Sequence, residues 1–260
     1  MTNDDWYLQS DLESFTDYLT LIANGVEHGV DGVPLSKLWF RGQSDHYWPL
    51  VASFDRTLPD LKSAVKDRVY NDMMRAFRDR SVMHGEVWKL EEDELVCVMQ
   101  HYGAPTRVLD WSTSPYVAAY FAFANALRVR GEGQRRERCA IYLLNAQDHI
   151  FRGFRTIRLI DKPPLENPRG WIQRGRFTLN LSSESDLIGE LTKIYSNPAE
   201  IPDQWVLQRV TLPRSEASSA LKNLELMGLT SESMFEGLEG TAKYAFFTAM
   251  DEAGLMGSSQ

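Results

Sequence analysis

The chain has 260 residues, of which 43% are hydrophobic and 25% are charged. This length and composition are typical of a globular protein with a sizeable core, and they exclude a largely disordered chain. Two cysteines, Cys97 and Cys139, cannot build a disulfide framework, so a cytoplasmic location is expected. The longest uncharged stretch, residues 111–127, is interrupted by serine, proline and asparagine, so we expect no membrane partner.

Charge is distributed unevenly along the chain. The net charge of −8 argues against a polyanionic partner, yet residues 128–176 contain twelve basic and five acidic side chains. Aromatic residues are interleaved with the basic ones, and this combination of phosphate-binding and base-stacking groups predicts a nucleic-acid groove. The candidate contacts are Arg135, Arg136, Arg174 and Arg176. The alternatives are a solvated arginine-rich loop followed by an edge strand, or a docking site for an acidic protein.

The first half of the chain has mainly helical patterns. Apolar residues at helical spacing predict a helix that ends at Gly25, a second helix over residues 61–77, and a third from the acidic cluster at residues 91–93 to Gly103. A short strand is predicted at residues 38–40. Residues 106–111 are expected to be extended, and Ser114 with Pro115 indicates the start of a buried helix that reaches residue 127.

The second half mixes strands with helices. Strands are predicted at residues 139–144 and 205–212, and helices at residues 216–227 and 238–250. Strand and helix do not alternate regularly, which favours an α+β fold. We therefore predict a single domain, residues 1–260, with a helical N-terminal extension over 1–37 packed on a core of mixed or antiparallel sheet over 38–250.

Several common chemistries are not indicated by this sequence. No glycine fingerprint for a dinucleotide follows a candidate strand, and no phosphate-loop lysine motif is present. The five histidines and two cysteines are scattered, so no metal is expected.

Three short segments are rich in groups that bind ligands. In residues 40–43, Arg41 ends a strand and precedes Gly42, which suits a guanidinium fork that grips phosphate; the alternative is a structural ion pair. Residues 100–114 gather polar and aromatic side chains that either satisfy one another or face a pocket. Residues 169–177 place Gln173 between two glycines, in a ligand-binding turn or a solvent-facing hairpin.

Together these segments resemble the FRG domain. The resemblance rests on Phe-Arg-Gly-Gln at 40–43, on Gln-His-Tyr-Gly-Ala-Pro-Thr-Arg-Val-Leu-Asp-Trp-Ser at 100–112, and on Ser-Pro at 114–115 with the Ala-Ala-Tyr-Phe-Ala run at 118–122. It continues at Gln173, Gly175 and Phe177 and through residues 227–240.

The FRG pattern is in outline similar to that of ADP-ribosyltransferases. The resemblance implies a sheet core of that type, with NAD as the co-substrate. Arg41, Ser112 and Gln173 take the catalytic positions, and Glu184 and Glu190 are reserve candidates because many such transferases have glutamate where Gln173 stands. The expected NAD-binding residues are Arg41, Gly42, Gln43, His101, Tyr102, Arg107, Thr113 and Tyr120.

The implied activity is transfer of ADP-ribose to a macromolecule. RNA is favoured over protein as the acceptor because of the basic stretch, and the resemblance suggests a toxin or anti-phage defence effector with an antitoxin or regulator protein. The alternatives are a non-catalytic module that binds a nucleotide or a partner, and a metal-independent nuclease that uses His101 with Asp110.

Overall fold

The computed structural model describes residues 5–124, 137–153, 156–161, 168–235 and 237–253. Over these residues the chain forms an α+β fold with one seven-stranded mixed sheet and eleven helices, which confirms the predicted fold class. The strands are β1 (Tyr7–Asp11), β2 (Leu38–Gln43), β3 (Val108–Ser112), β4 (Arg138–Asn145), β5 (Ile157–Ile160), β6 (Gly175–Asn180) and β7 (Leu207–Pro213). That the core is of the ADP-ribosyltransferase type stays a prediction.

The helices differ widely in length, and several are only one turn. They are α1 (Phe15–His28), α2 (Ser53–Thr57), α3 (Ser63–Ser81), α4 (Glu92–His101), α5 (Pro115–Ala124), α6 (Ile150–Gly153), α7 (Pro168–Ile172), α8 (Leu187–Tyr195), α9 (Ala217–Leu226), α10 (Ser231–Met234) and α11 (Leu238–Glu252). Of the predicted helix over residues 116–127, the last three residues lie outside the described part of the chain.

The sheet has the strand order β1-β7-β4-β2-β3-β6-β5, in which β1 is parallel to β7 and the other neighbours are antiparallel. Strand pairing is weakest at the centre of the sheet, where β2 and β3 pair at one position, Phe40 with Ser112. From there β2 continues along β4, and β3 continues along β6. The two halves of the sheet therefore separate between β2 and β3.

Alternation along the strands gives the sheet two apolar faces. Phe40 of β2 packs with α1, α5 and α9, whereas its neighbour Trp39 packs with α8 on the opposite face. Val108 and Ser112 are four residues apart on β3 and so lie on the same face of the sheet, which is the face of Phe40 because Phe40 pairs with Ser112. Val108 belongs to a third cluster, with α3 and α4. Two groups of helices thus cover adjacent parts of one face, with the separation of β2 and β3 beneath them.

The N-terminal residues belong to the core. Strand β1 pairs with β7 at one edge of the sheet, and Phe15, Tyr18 and Ile22 of α1 are buried in the same cluster as Phe40. Residues 7–28 are therefore part of the sheet and its helical layer, and the predicted extension over residues 1–37 does not describe them.

Helix α1 continues beyond the predicted end at Gly25. It ends at His28, and Gly29 takes the left-handed conformation with φ of 74°. Gly25 lies inside the helix at a close approach, because a Cβ atom there would come within 3.0 Å of Val30 Cγ2. Glycine at position 25 therefore allows α1 to pack closely against Val30, and it does not end the helix.

Candidate functional site

A cavity of about 390 Å³ lies where β2 and β3 separate, between α4 and α5. We call it the central cavity. Arg41 and Gly42 from β2, Asp110 and Ser112 from β3, and Gln173 from the turn before β6 all line it. The three residues predicted as catalytic, Arg41, Ser112 and Gln173, are thus brought to one cavity.

Arg41 spans the separation between the two halves of the sheet. Its Nη1 donates to the Asp110 carbonyl oxygen at 2.6 Å and lies 3.9 Å from the Asp110 carboxylate, and its side chain is 19% exposed. Its buried Nε has no hydrogen-bond partner among the described residues. Burial lowers the pKa of Arg41 and the charge of Asp110 opposes that shift, but the guanidinium stays cationic near neutral pH. Arg41 therefore offers a charged donor to a bound anion.

Ser112 holds the wall of the cavity together. Its Oγ donates to the Gln173 carbonyl oxygen at 2.7 Å and accepts from the Ser114 backbone nitrogen at 3.0 Å. Ser114 Oγ in turn accepts from the Val117 nitrogen at 3.4 Å, as expected of a serine at the predicted start of a helix. Since the hydroxyl proton of Ser112 is already donated within the protein, this residue positions the turn before β6.

Gln173 connects the central cavity to α10. Its Nε2 donates to the Met234 carbonyl oxygen at 3.0 Å, which fixes the plane of the amide. The turn that carries Gln173 is tight, because the next residue, Arg174, has a positive φ of 50°. A fixed amide can orient a ligand hydroxyl, but it cannot accept a proton as a base.

Gly42 allows α5 to cross the sheet at very short distance. A Cβ atom on Gly42 would lie 2.0 Å from the Ala118 carbonyl oxygen and 2.6 Å from the Ala122 nitrogen. The glycine therefore sets the spacing between β2 and α5, which is also the spacing of one wall of the central cavity.

A second cavity, of about 490 Å³, adjoins the central one. Arg41, Gln100 and Asp110 line both, so these three side chains stand at the junction of the two cavities. Arg56 of α2 also lines the second cavity. The junction thus carries one cation, one carboxylate and one amide.

Two of the predicted NAD-binding residues line the central cavity in addition to Arg41. His101 ends α4 and lines the cavity with its ring edge-on to Tyr102, and Gly42 lines it through its contact with α5. Sequence reasoning assigned Asp110 only to the alternative nuclease site with His101, and it did not select Gln100. The polar stretch at residues 100–114 was the available indication, because it contains Gln100 and Asp110 together with His101.

The structure does not bring four other predicted residues to the central cavity. Tyr102 is 75% exposed, and Gln43 is buried with its amide donating to the Trp48 carbonyl oxygen. Tyr120 is buried with its hydroxyl 2.7 Å from that of Ser231, where it lines a smaller cavity beside α11. The Thr113 nitrogen donates to the Arg174 carbonyl oxygen, which ties β3 to the turn before β6. These residues were predicted from their functional groups, but in the folded chain they do not line the central cavity.

Arg107, predicted to bind NAD, is instead part of a buried ionic network. It is 4% exposed, its Nη1 lies 2.7 Å from Asp67 and its Nε lies 3.7 Å from Asp55. The guanidinium also lies over the rings of Phe54 and Tyr70, at 5.3 and 5.1 Å. These contacts join β3 to α2 and α3, so the role of Arg107 is structural.

Replacement of Arg107 by methionine should strongly destabilise the fold. The change leaves the Asp55 carboxylate buried with Lys66 at 3.4 Å as its remaining ion pair, and removing one partner of a buried pair costs about 3–5 kcal/mol. Urea unfolding measures the loss. Arg75→Met is the control, because Arg75 is 71% exposed and pairs with Asp72 on the surface. Unchanged stability in Arg107→Met would contradict the structural role.

Neither reserve glutamate lines the central cavity. The Glu184 carboxylate binds Lys193 at 3.1 Å, and its hydrogen bonds to Lys193 and Asp186 lower its pKa against the opposing effect of burial. Glu190 is buried on α8, whose apolar residues pack on the face of the sheet opposite to Phe40. Of the described residues that line the central cavity, Asp110 is the one that carries a carboxylate.

The arginines predicted to contact nucleic acid have different placements. Arg135 and Arg136 lie outside the described residues. Arg176 pairs with Asp161 at 2.6 Å, so its charge is partly neutralised within the protein. Arg174 is exposed and lies between Gln173 and Gly175, two residues of the central cavity. Of the two described arginines, Arg174 is thus the one directed to solvent beside the site.

The described ranges contain neither a metal-binding cluster nor a membrane-spanning helix. No group of three or more histidine, cysteine, aspartate or glutamate side chains is arranged there to hold a metal ion. No helix in those ranges combines the length and the apolar character that crossing a membrane requires.

Comparison with known families agrees with the motifs. The family model of the FRG domain matches residues 36–130, so the resemblance to this family is confirmed over that segment. The matched segment supplies Arg41, Gly42, Asp110 and Ser112 to the central cavity, whereas Gln173 comes from a later part of the chain. No curated protein and no solved structure matches the chain.

Proposed function

We propose that this protein cleaves NAD and transfers ADP-ribose to a macromolecular acceptor. The observation that carries the proposal is the position of Arg41, whose guanidinium lies at the junction of two cavities of about 390 and 490 Å³. A dinucleotide has two bulky halves joined by a pyrophosphate, and a cation between two adjoining cavities matches that arrangement of charge and volume.

The central cavity suits the nicotinamide riboside half. Phe40, Phe121 and Phe177 supply apolar aromatic surface against which a pyridinium ring can pack, and cation–π attraction favours its positive charge. Ser112 and Gln173 stiffen the lining of the cavity through their mutual link and the bond to α10. A rigid wall keeps the bound ribose aligned for reaction, and alignment is a major source of rate enhancement.

Cleavage of the bond between nicotinamide and ribose develops positive charge at C1′, as in glycoside hydrolysis. Asp110, at the junction of the cavities, supplies a negative charge near that position, and Arg41 holds the phosphates. The protein contributes binding, orientation and electrostatic stabilisation, and NAD itself supplies the leaving group.

We propose RNA as the favoured acceptor, and a toxin or defence effector as the biological role. Exposed Arg174 beside the central cavity can contact a phosphate of an approaching strand. The basic stretch at 128–176 adds attraction for a polyanion within a chain of net charge −8. An antitoxin or regulator protein and a cytoplasmic location belong to the same proposal.

The test is incubation of the purified protein with NAD labelled in its adenylate moiety, together with total RNA, DNA or protein. We expect label to enter the RNA fraction, with release of one nicotinamide per transfer. Label in protein or DNA instead would support the transferase activity and replace RNA as the proposed acceptor. Binding of NAD without nicotinamide release over hours would favour a binding module, and RNA cleavage without NAD would favour a nuclease that uses His101 with Asp110.

A further inference from the structure

We propose that Asp110 is the catalytic carboxylate of the central cavity, an assignment that rests on the proposed cleavage of NAD. The sequence motifs direct attention to Gln173 and to two glutamates for this position. Gln173 has no acidic group, and neither Glu184 nor Glu190 lines the cavity. Asp110 remains as the carboxylate among the described lining residues, and it lies on β3 two residues before Ser112.

A chain of hydrogen bonds holds the Asp110 carboxylate in place. Gln100 Nε2 donates to Asp110 Oδ1, and Thr106 Oγ1 donates to Gln100 Oε1. The donors in this chain are neutral, so they orient the carboxylate while leaving its negative charge in place. Arg41 Nη1 lies 3.9 Å from Oδ2, which is too far for a direct hydrogen bond to the carboxylate.

The exposure of Asp110 fits a group that meets both substrates. Its side chain is 63% exposed, and it lines both the central cavity and the second cavity. An acceptor arriving from solvent can therefore reach the carboxylate while NAD occupies the site. His101 also lines the central cavity, but an imidazole is neutral or cationic and cannot offer a developing cation the negative charge that Asp110 offers.

The reaction step has a defined balance. The bond between ribose C1′ and the nicotinamide ring nitrogen breaks, and its electron pair leaves with neutral nicotinamide. A lone pair of the acceptor forms the new bond to C1′. The proton of the acceptor passes to the Asp110 carboxylate and then to water, so the carboxylate is regenerated.

The test compares Asp110→Asn with Asp72→Asn in the full chain. Asp72 is a matched control, because its side chain is 61% exposed, lies 3.3 Å from Arg75 and lines neither cavity. With NAD and the acceptor found for the wild type, Asp110→Asn should lower kcat about 100-fold while KM for NAD stays within about threefold. Asp72→Asn should retain wild-type values. Formate should restore part of the turnover of Asp110→Ala, since a small carboxylate can enter the vacated space.

The outcomes separate this assignment from the proposed function. No nicotinamide release by the wild type would overturn both. An active wild type with a loss in Asp110→Asn of less than tenfold, or a loss confined to KM, would overturn the assignment alone. So would failure of formate to restore Asp110→Ala, or loss of turnover in His101→Gln with full turnover in Asp110→Asn.

Discussion

Arg41→Ala should abolish NAD turnover and weaken NAD binding at least about 100-fold. The guanidinium lies at the junction of the two cavities, and each charge-assisted contact to a phosphate contributes on the order of 1.5–3 kcal/mol. Loss of the side chain leaves the Asp110 carboxylate near a bound pyrophosphate with no cation between them. Calorimetric titration with NAD and a nicotinamide-release assay measure the two effects.

Arg158→Ala is the matched control for this prediction. Arg158 is 33% exposed and pairs with Glu92 and Asp93, and it lines neither cavity. Arg41→Lys is the second comparison, because it keeps a charge but loses the fork that grips two phosphate oxygens, so an intermediate affinity is expected. NAD affinity within threefold of wild type in a folded Arg41→Ala protein would reject the phosphate-binding role.

Gly42→Ala should be severely destabilised. The added Cβ atom meets the backbone of α5, at 2.0 Å from the Ala118 carbonyl oxygen, and neither strand nor helix can yield without moving the sheet. Such overpacking against backbone should lower the free energy of unfolding by about 3 kcal/mol. Urea unfolding followed by circular dichroism measures the loss, and a folded fraction should show a deformed central cavity with weak NAD binding.

Gly153→Ala is the control for Gly42→Ala. Gly153 ends helix α6, and a Cβ atom there would meet no atom of the described residues within 4 Å. Its replacement should change the free energy of unfolding by less than about 0.5 kcal/mol. Equal stability of the two variants would show that β2 and α5 are further apart than the packing of Gly42 indicates.

Elements with strong local signals were predictable from the sequence. The acidic start of α4, the Ser-Pro start of α5 and the apolar run of β4 all occur where expected, within a few residues. Their signals lie within one turn or one strand, where capping, dipole and apolar patterning act directly on the backbone. The α+β class follows from their order.

Elements that depend on distant partners were missed. Strand β1 is short and polar, and it pairs with β7 about 200 residues further along the chain. Nothing within residues 7–11 encodes that partner. Gly25 was misread for a related reason, because the need for a small residue comes from Val30 and Leu35, which pack against α1.

Residue order and spacing were enough to predict the fold class and the motifs that gather at the site, since Arg41, Ser112 and their neighbours are recognisable along the chain. Which side chains face the cavity depends on the three-dimensional packing. It buried Arg107 among aspartates, directed Tyr120 towards α10 and placed Asp110 at the junction of the cavities. A motif specifies residue types along the chain, whereas the direction of each side chain depends on the register between β2, β3 and the helices above them.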